Sequence, residues 1–157
     1  MRTQDEENAD SDTEAESESI TEKLREMAEI LTMKNVNQRW TVDVSREKNA
    51  RFRKKYVCDD EIVLETLREL KAKDFVCFDK NRSKKAKVNP DYQKQIIMIF
   101  VLSKVFMLKD DDDDKAKEIN LYIKLTYLVN GMLIAISFHE SERSHDEEME
   151  YRKKQRR

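Results

Sequence analysis

Apolar and polar residues alternate most cleanly from Glu118 to Glu140, EINLYIKLTYLVNGMLIAISFHE, where two strand-forming runs flank Asn130-Gly131. Asn-Gly favours a two-residue type I′ turn, because both central positions take positive φ. The pattern therefore predicts a β-hairpin. Counting outward from the turn pairs Val129 with Met132, Leu128 with Leu133, Tyr127 with Ile134, Leu125 with Ile136, Ile123 with Phe138 and Tyr122 with His139. A slip of one residue would turn a core set toward water. In this register Ile123, Leu125, Tyr127 and Val129 share a buried face with Met132, Ile134, Ile136 and Phe138. The other face carries Tyr122, Lys124 and Thr126 opposite Ala135, Ser137 and His139.

Upstream the spacing changes from two to between three and four. Ser19 followed by Glu22 forms a capping box, and Ile20, Leu24, Met27, Ile30 and Leu31 recur as one helical face to about Lys34. Asp59 is a good N-cap for a helix over residues 60–71, with Val63, Leu64, Leu67 and Leu70 as its buried stripe. Trp40 to Val44 is compatible with a short strand, with Trp40 in the core, and Asp74 to Phe78 reads as another. Gln95 to Leu108 is rich in β-branched and aromatic residues and reads as one long strand, or as two with a bulge near Ser103-Lys104. Lys104 either shares the polar face of Tyr122 or marks a bend. These elements predict an α+β fold, an antiparallel sheet of three to four strands with two N-terminal helices packed on it.

Charge divides the chain unevenly. Charged residues make up 41% of the 157, and the formal net charge is -2. Residues 1–19 hold eight acidic side chains and only Arg2 as a base, so residues 20–157 carry 30 Lys and Arg against 25 Asp and Glu. A basic body of this kind suits a polyanion. The domain boundaries follow: a disordered acidic tail over 1–18, which could compete electrostatically for the ligand or only solubilise the chain; one domain over 19–141; a charged tail over 142–157, a short frayed helix or disordered. His145 has no evident partner there. With one Gly and one Pro, Gly-rich phosphate loops are excluded. Cys58 and Cys77 are too far apart for a CxxC site and read as free thiols. The run Asp110 to Asp114 lacks the spacing of an EF-hand and reads as a repelling loop. No metal or small-molecule cofactor is expected. With no signal peptide and no apolar run of membrane-spanning length, a cytoplasmic location away from membranes is expected.

The open end of the hairpin holds the candidate chemistry. Opposed side chains have Cβ atoms about 4.5–5.5 Å apart, so a phenol, an imidazole and an ammonium meet at Tyr122, His139 and Lys124. RNA carries its own nucleophile in the 2′-hydroxyl, so such a trio could cleave it by moving protons and neutralising charge. Lys124 would hold the scissile phosphate while Tyr122 and His139 share the acid and base roles. Composition alone favours the plainer alternative, an ordinary Tyr–His cross-strand pair on a half-exposed sheet with Lys124 snorkelling beside it. Arg46, Lys48, Arg51 and Arg53 in the densest basic stretch, Arg82, Lys84 and Lys85 in a basic loop, and Lys104 are candidate RNA contacts. Phe52 is available to stack on a base.

Asn120-Leu-Tyr-Ile-Lys-Leu125 and Ile134-Ala-Ile-Ser-Phe-His139 resemble the paired C-terminal strands of the MqsR family of type II toxins. Arg46-Glu-Lys-Asn49, the helix from Glu61 to Leu70, the Asp74-Phe75 step and the Met98-Ile-Phe-Val101 to Lys104 segment are similar to further landmarks of that family. The resemblance covers about residues 46–141. It implies a RelE-like fold and a metal-independent mRNA endonuclease held inactive by a protein antitoxin. It also implies a catalytic role for Tyr122, with His139 where the family has His or Lys; the role of Lys124 rests on the strand geometry. The chain departs from the family in having Val76-Cys77 where a lysine follows the D-F step, with Lys80 as the nearest substitute. A catalytically degenerate RNA- or protein-binding module of the same fold is the alternative.

Overall fold

A computed structural model of the chain describes residues 19–32, 36–80, 87–90, 95–109, 115–127 and 131–155. Helix α1 spans 19–31. Strand β1 (Trp40–Val42), helix α2 (Glu47–Lys55) and helix α3 (Asp60–Glu69) follow, then the strands β2 (Phe75–Lys80), β3 (Ile96–Met107), β4 (Ala116–Tyr127) and β5 (Leu133–Glu140), and helix α4 (His145–Gln155). The Asp59 carboxylate accepts the Ile62 N–H at 2.9 Å, so α3 begins at the cap that its sequence signals.

The fold is α+β, but the sheet is wider than expected and is mixed. Five strands lie in the order β1-β5-β4-β3-β2. β1 runs parallel to β5, with Trp40 opposite Leu133, and the other pairs are antiparallel. Three residues of β1 carry too little alternation to announce a sheet edge; pairing with β5 defines it. β3 is one continuous strand in unbroken register with β4, from Met98 opposite Leu125 to Met107 opposite Ala116. There is no bulge at Ser103-Lys104.

Both faces of the sheet are covered in part. On one face α1, α2 and α3 bury Ile20, Met27 and Leu31, Phe52, and Val63, Leu64 and Leu67 against Phe100, Leu121, Ile123, Leu125, Leu133 and Phe138. Helix α1 therefore belongs to the domain. Phe52 is part of this core rather than a base platform: it is 4% exposed, with its ring 5.1 Å from Phe106, edge to face. Burying a phenyl side chain stabilises by roughly 1.5–3 kcal/mol, which outweighs any surface role. On the other face Val76, Cys77, Ile97, Ile99 and Val101 form a second cluster, with Tyr122, Ile136 and Met149 of α4 packed against it.

The C-terminal segment is thus an ordered helix docked on the sheet. Its start is a capping box: Ser144 Oγ accepts the Glu147 N–H and the Glu147 carboxylate accepts the Ser144 N–H, each at 3.3 Å. His145 does have a partner, donating from Nε2 to the Phe75 carbonyl at 2.8 Å.

Candidate functional site

Tyr122 of β4 lies opposite His139 of β5 and Lys124 lies opposite Ser137, the register predicted from the hairpin. Beyond Lys124 the ladder shifts by one, so that Leu125 faces Ala135 and Tyr127 faces Leu133. Ile136 is the extra residue of a β-bulge. As a result Leu133 and Ala135 enter the large core, and Ile136 packs on the opposite face with Tyr122, contrary to the uniform count from the turn. Gly131 has φ +86°, as an Asn-Gly turn requires; Asn130 lies outside the described residues.

Asn49 is bound to this bulge. Its side chain is 2% exposed; Nδ2 donates to the Ile136 carbonyl at 2.9 Å and to the Asp43 carbonyl at 2.6 Å, while Oδ1 accepts the Phe138 N–H at 2.9 Å. Donating to one backbone group and accepting from another two residues on is what one residue of a parallel strand would do. Asn49 therefore extends the β1 pairing of β5 past Val42, satisfies buried backbone groups, and anchors α2 beside the sheet. Arg46, Lys48 and Arg51 are held on the same helix and its approach.

These residues wall a cleft of about 710 Å³ whose lining includes Arg46, Lys48, Tyr122, Lys124, His139 and Arg152. Seven Lys and Arg side chains face four Glu around it. The Tyr122 and His139 rings stack with centroids 5.3 Å apart and planes inclined by 22°, and Lys124 Nζ lies 5.9 Å from the phenol centroid. The Arg152 guanidinium of α4 donates from Nη2 to the Tyr122 hydroxyl at 2.9 Å. Arg152 also donates from Nε to Glu148 at 2.9 Å and from Nη1 to Asp79 at 3.3 Å. Glu148, 3% exposed, accepts as well from Arg143 at 3.2 Å, so the carboxylate between two guanidinium groups organises α4.

The electrostatics follow from burial among cations. Burial pushes the Tyr122 phenol up to about 12, against the opposing pull of Arg152. Burial lowers the His139 imidazole below 6.5, helped by Lys48, Lys124 and Arg46 and opposed by its bond to the Glu140 carbonyl. Lys124 is lowered from 10.5 by burial, then by Arg152 and Arg46. Burial is the largest influence on Arg152 and lowers it, but the bond to Glu148 together with the nearby Tyr122, Cys77 and Glu148 charges outweighs burial and leaves it raised. His139 Nδ1 lies 3.0 Å from the Glu140 carbonyl. A carbonyl only accepts, so Nδ1 carries the proton and Nε2 of the neutral ring is left with its lone pair.

The structure thus brings together Tyr122, His139 and Lys124 with Arg46, Lys48 and Arg51. Arg53 is turned away, bonded to Asp60 at 2.8 Å. Lys104 lies on the opposite face of the sheet, with Ile119 as its cross-strand partner and its ammonium 3.4 Å from Glu69. Arg82, Lys84, Lys85 and the Asp110–Asp114 run lie outside the described residues. Lys80 ends β2 on the surface, and Cys77 is buried and in no disulfide, as is Cys58. Nothing in the sequence singles out Arg152 or Glu148, and Asn49 figures there only as the end of the Arg46–Asn49 landmark, with no role attached. The capping box at Ser144 and the i,i+4 pair Glu148 and Arg152 were legible signs of a helix, but nothing in them indicated the sheet face on which it docks. Among the described residues no helix is long and apolar enough to cross a membrane. No family model, no curated protein and no solved structure matches this chain.

Proposed function

We propose that this protein is an endoribonuclease that cleaves single-stranded RNA by attack of a ribose 2′-hydroxyl, the activity implied by its resemblance to the MqsR toxins. On this reading the fold is RelE-like, the protein acts on mRNA in the cytoplasm, and a protein antitoxin is its partner. The observation that carries the reading is the stacked Tyr122 and His139 pair with Arg152 bonded to the phenol, at the wall of a cationic cleft.

The two rings divide the proton transfers by their environments. His139 is neutral at pH 7 with a lone pair at Nε2, and takes the 2′-hydroxyl proton as the 2′-oxygen forms its bond to phosphorus. Tyr122 keeps its proton. Because a guanidinium can only donate, Arg152 occupies an acceptor position of the phenol and leaves the O–H free to protonate the departing 5′-oxygen as the P–O5′ bond breaks. Arg152 then stabilises the phenolate, and Lys124 neutralises charge gathering on the phosphoryl oxygens. The products are a 2′,3′-cyclic phosphate and a 5′-hydroxyl. Incubating a single-stranded RNA with the protein in EDTA tests this. Wild type should yield those ends, and Tyr122→Phe and His139→Ala should lose roughly 10²–10⁴-fold in rate; three equal rates would remove both residues from the chemistry.

A second reading, a binding module of the same fold without turnover, is supported by Cys77, which fills with a buried thiol the position where the family has lysine. Salt-sensitive RNA binding with no product would select it.

A further inference from the structure

The cleft has one wall that the proposed chemistry does not use. Just after β5, Arg143 lays its guanidinium over the ring of Tyr151 on α4, with Cζ 3.6 Å from the centroid. Both residues line the cleft together with Tyr122, His139 and Arg152. Arg143 is fixed there, since it donates to the buried Glu148 carboxylate at 3.2 Å, the same carboxylate that orients Arg152. Tyr151 is 37% exposed. A pinned guanidinium stacked on a partly exposed phenol, beside a cationic groove, has the elements with which proteins hold an unpaired base: a flat π surface for the base and positive charge for its backbone.

We infer that the Arg143–Tyr151 stack is a nucleobase subsite, which holds one unstacked base of a single-stranded RNA next to the phosphate cleaved by Tyr122 and His139. The inference rests on the ribonuclease reading for the identity of the ligand, and adds to it a requirement for single strands. A duplex keeps its bases stacked on one another and has none to offer. Because Glu148 ties Arg143 and Arg152 together, a base seated on the stack sits at a set distance from the catalytic phenol, so the platform also chooses which phosphate is cut. A stack serving only to fasten the loop after β5 onto α4 would hold the helix without sensing any base.

Binding of a short oligoribonucleotide, 2′-O-methylated so that it cannot be cleaved, separates the two. Affinity is measured by fluorescence anisotropy for the intact strand and for strands with a single abasic position moved along it. With wild type, one abasic position should weaken binding about tenfold. With Tyr151→Ala that same position should make no difference, and with Tyr151→Phe the tenfold loss should return. The coupling between base and ring is the readout, so a general weakening of Tyr151→Ala through a loosened helix does not imitate it. Equal abasic losses in wild type and Tyr151→Ala, or no sensitive position in wild type, would overturn the subsite, and so would a wild type that binds none of the strands. The cleavage assay decides the parent reading separately. Binding with coupling but no cleavage would leave the subsite and remove the nuclease; cleavage without coupling would do the reverse.

Discussion

Replacing Arg152 by glutamine asks whether α4 is part of the site or only lies beside it. The guanidinium spends all three nitrogens: Nε on Glu148 at 2.9 Å, Nη1 on Asp79 at 3.3 Å and Nη2 on Tyr122 at 2.9 Å. Glu148 is 3% exposed, so water screens its charge little, and removing one partner of a buried ion pair costs roughly 3–5 kcal/mol. Arg143 remains bonded to the same carboxylate, which reduces that cost to about 2 kcal/mol. The Asp79 contact, with both side chains about one quarter exposed, contributes up to about 1 kcal/mol. Arg152→Gln should therefore lose about 3 kcal/mol, seen in thermal denaturation as a fall of roughly 6–12 °C in Tm. RNA cleavage at a temperature where the variant is still folded should drop by roughly 10²–10³ in kcat, the scale of losing one preorganised donor. Arg152→Lys restores the charge but has one nitrogen for three acceptors, and should fall between the two. An Arg152→Gln protein within about 0.5 kcal/mol of wild type that cleaves at the wild-type rate would refute the assignment of α4 to the site.

Asn49→Ala removes three hydrogen bonds and strands the buried Phe138 N–H, so chemical denaturation should show a loss of roughly 2–4 kcal/mol; a loss below about 1 kcal/mol would mean that the bulge at Ile136 holds itself. Asn49→Asp should be no better, since it turns a carboxylate toward two carbonyls. The cleavage rate should rise with pH to a plateau with its midpoint below 6.5, because the lowered His139 must be neutral to act as base, and should stay flat past pH 9, because the phenol is held up to about 12. A rate that falls between pH 5 and 8 would reverse the two roles. The same shift has a stability consequence: the unfolded chain binds the His139 proton more readily than the folded one, so stability declines as pH drops below 6.5. Burial raises the Cys58 thiol to about 11, and Cys77 is 5% exposed, so a thiol reagent at pH 8 should label neither until the protein is unfolded; rapid labelling of the native protein would contradict their burial.

What the chain's own pattern determined is local. A turn that needs positive φ, strands of alternating apolar residues and a cap three residues ahead of a helical stripe are all set by neighbours in sequence. They suffice to place Tyr122 across from His139, with Lys124 on the same face. The tertiary structure decided whatever depends on residues far apart along the chain. The bulge at Ile136 needs Asn49, 87 residues away, to satisfy the backbone it leaves open, so counting from the turn could not reveal it. Lys104 is set on the far face by an unbroken β3, and Phe52 goes to the core because an aromatic pocket already exists there. Helix α4 shows the division best. Its start is written in Ser144 and Glu147, but its docking side is set by Asp79, Phe75 and Tyr122, groups on other strands. An almost wholly charged helix has no apolar stripe to say where it will lie, and only the partners of its charges can.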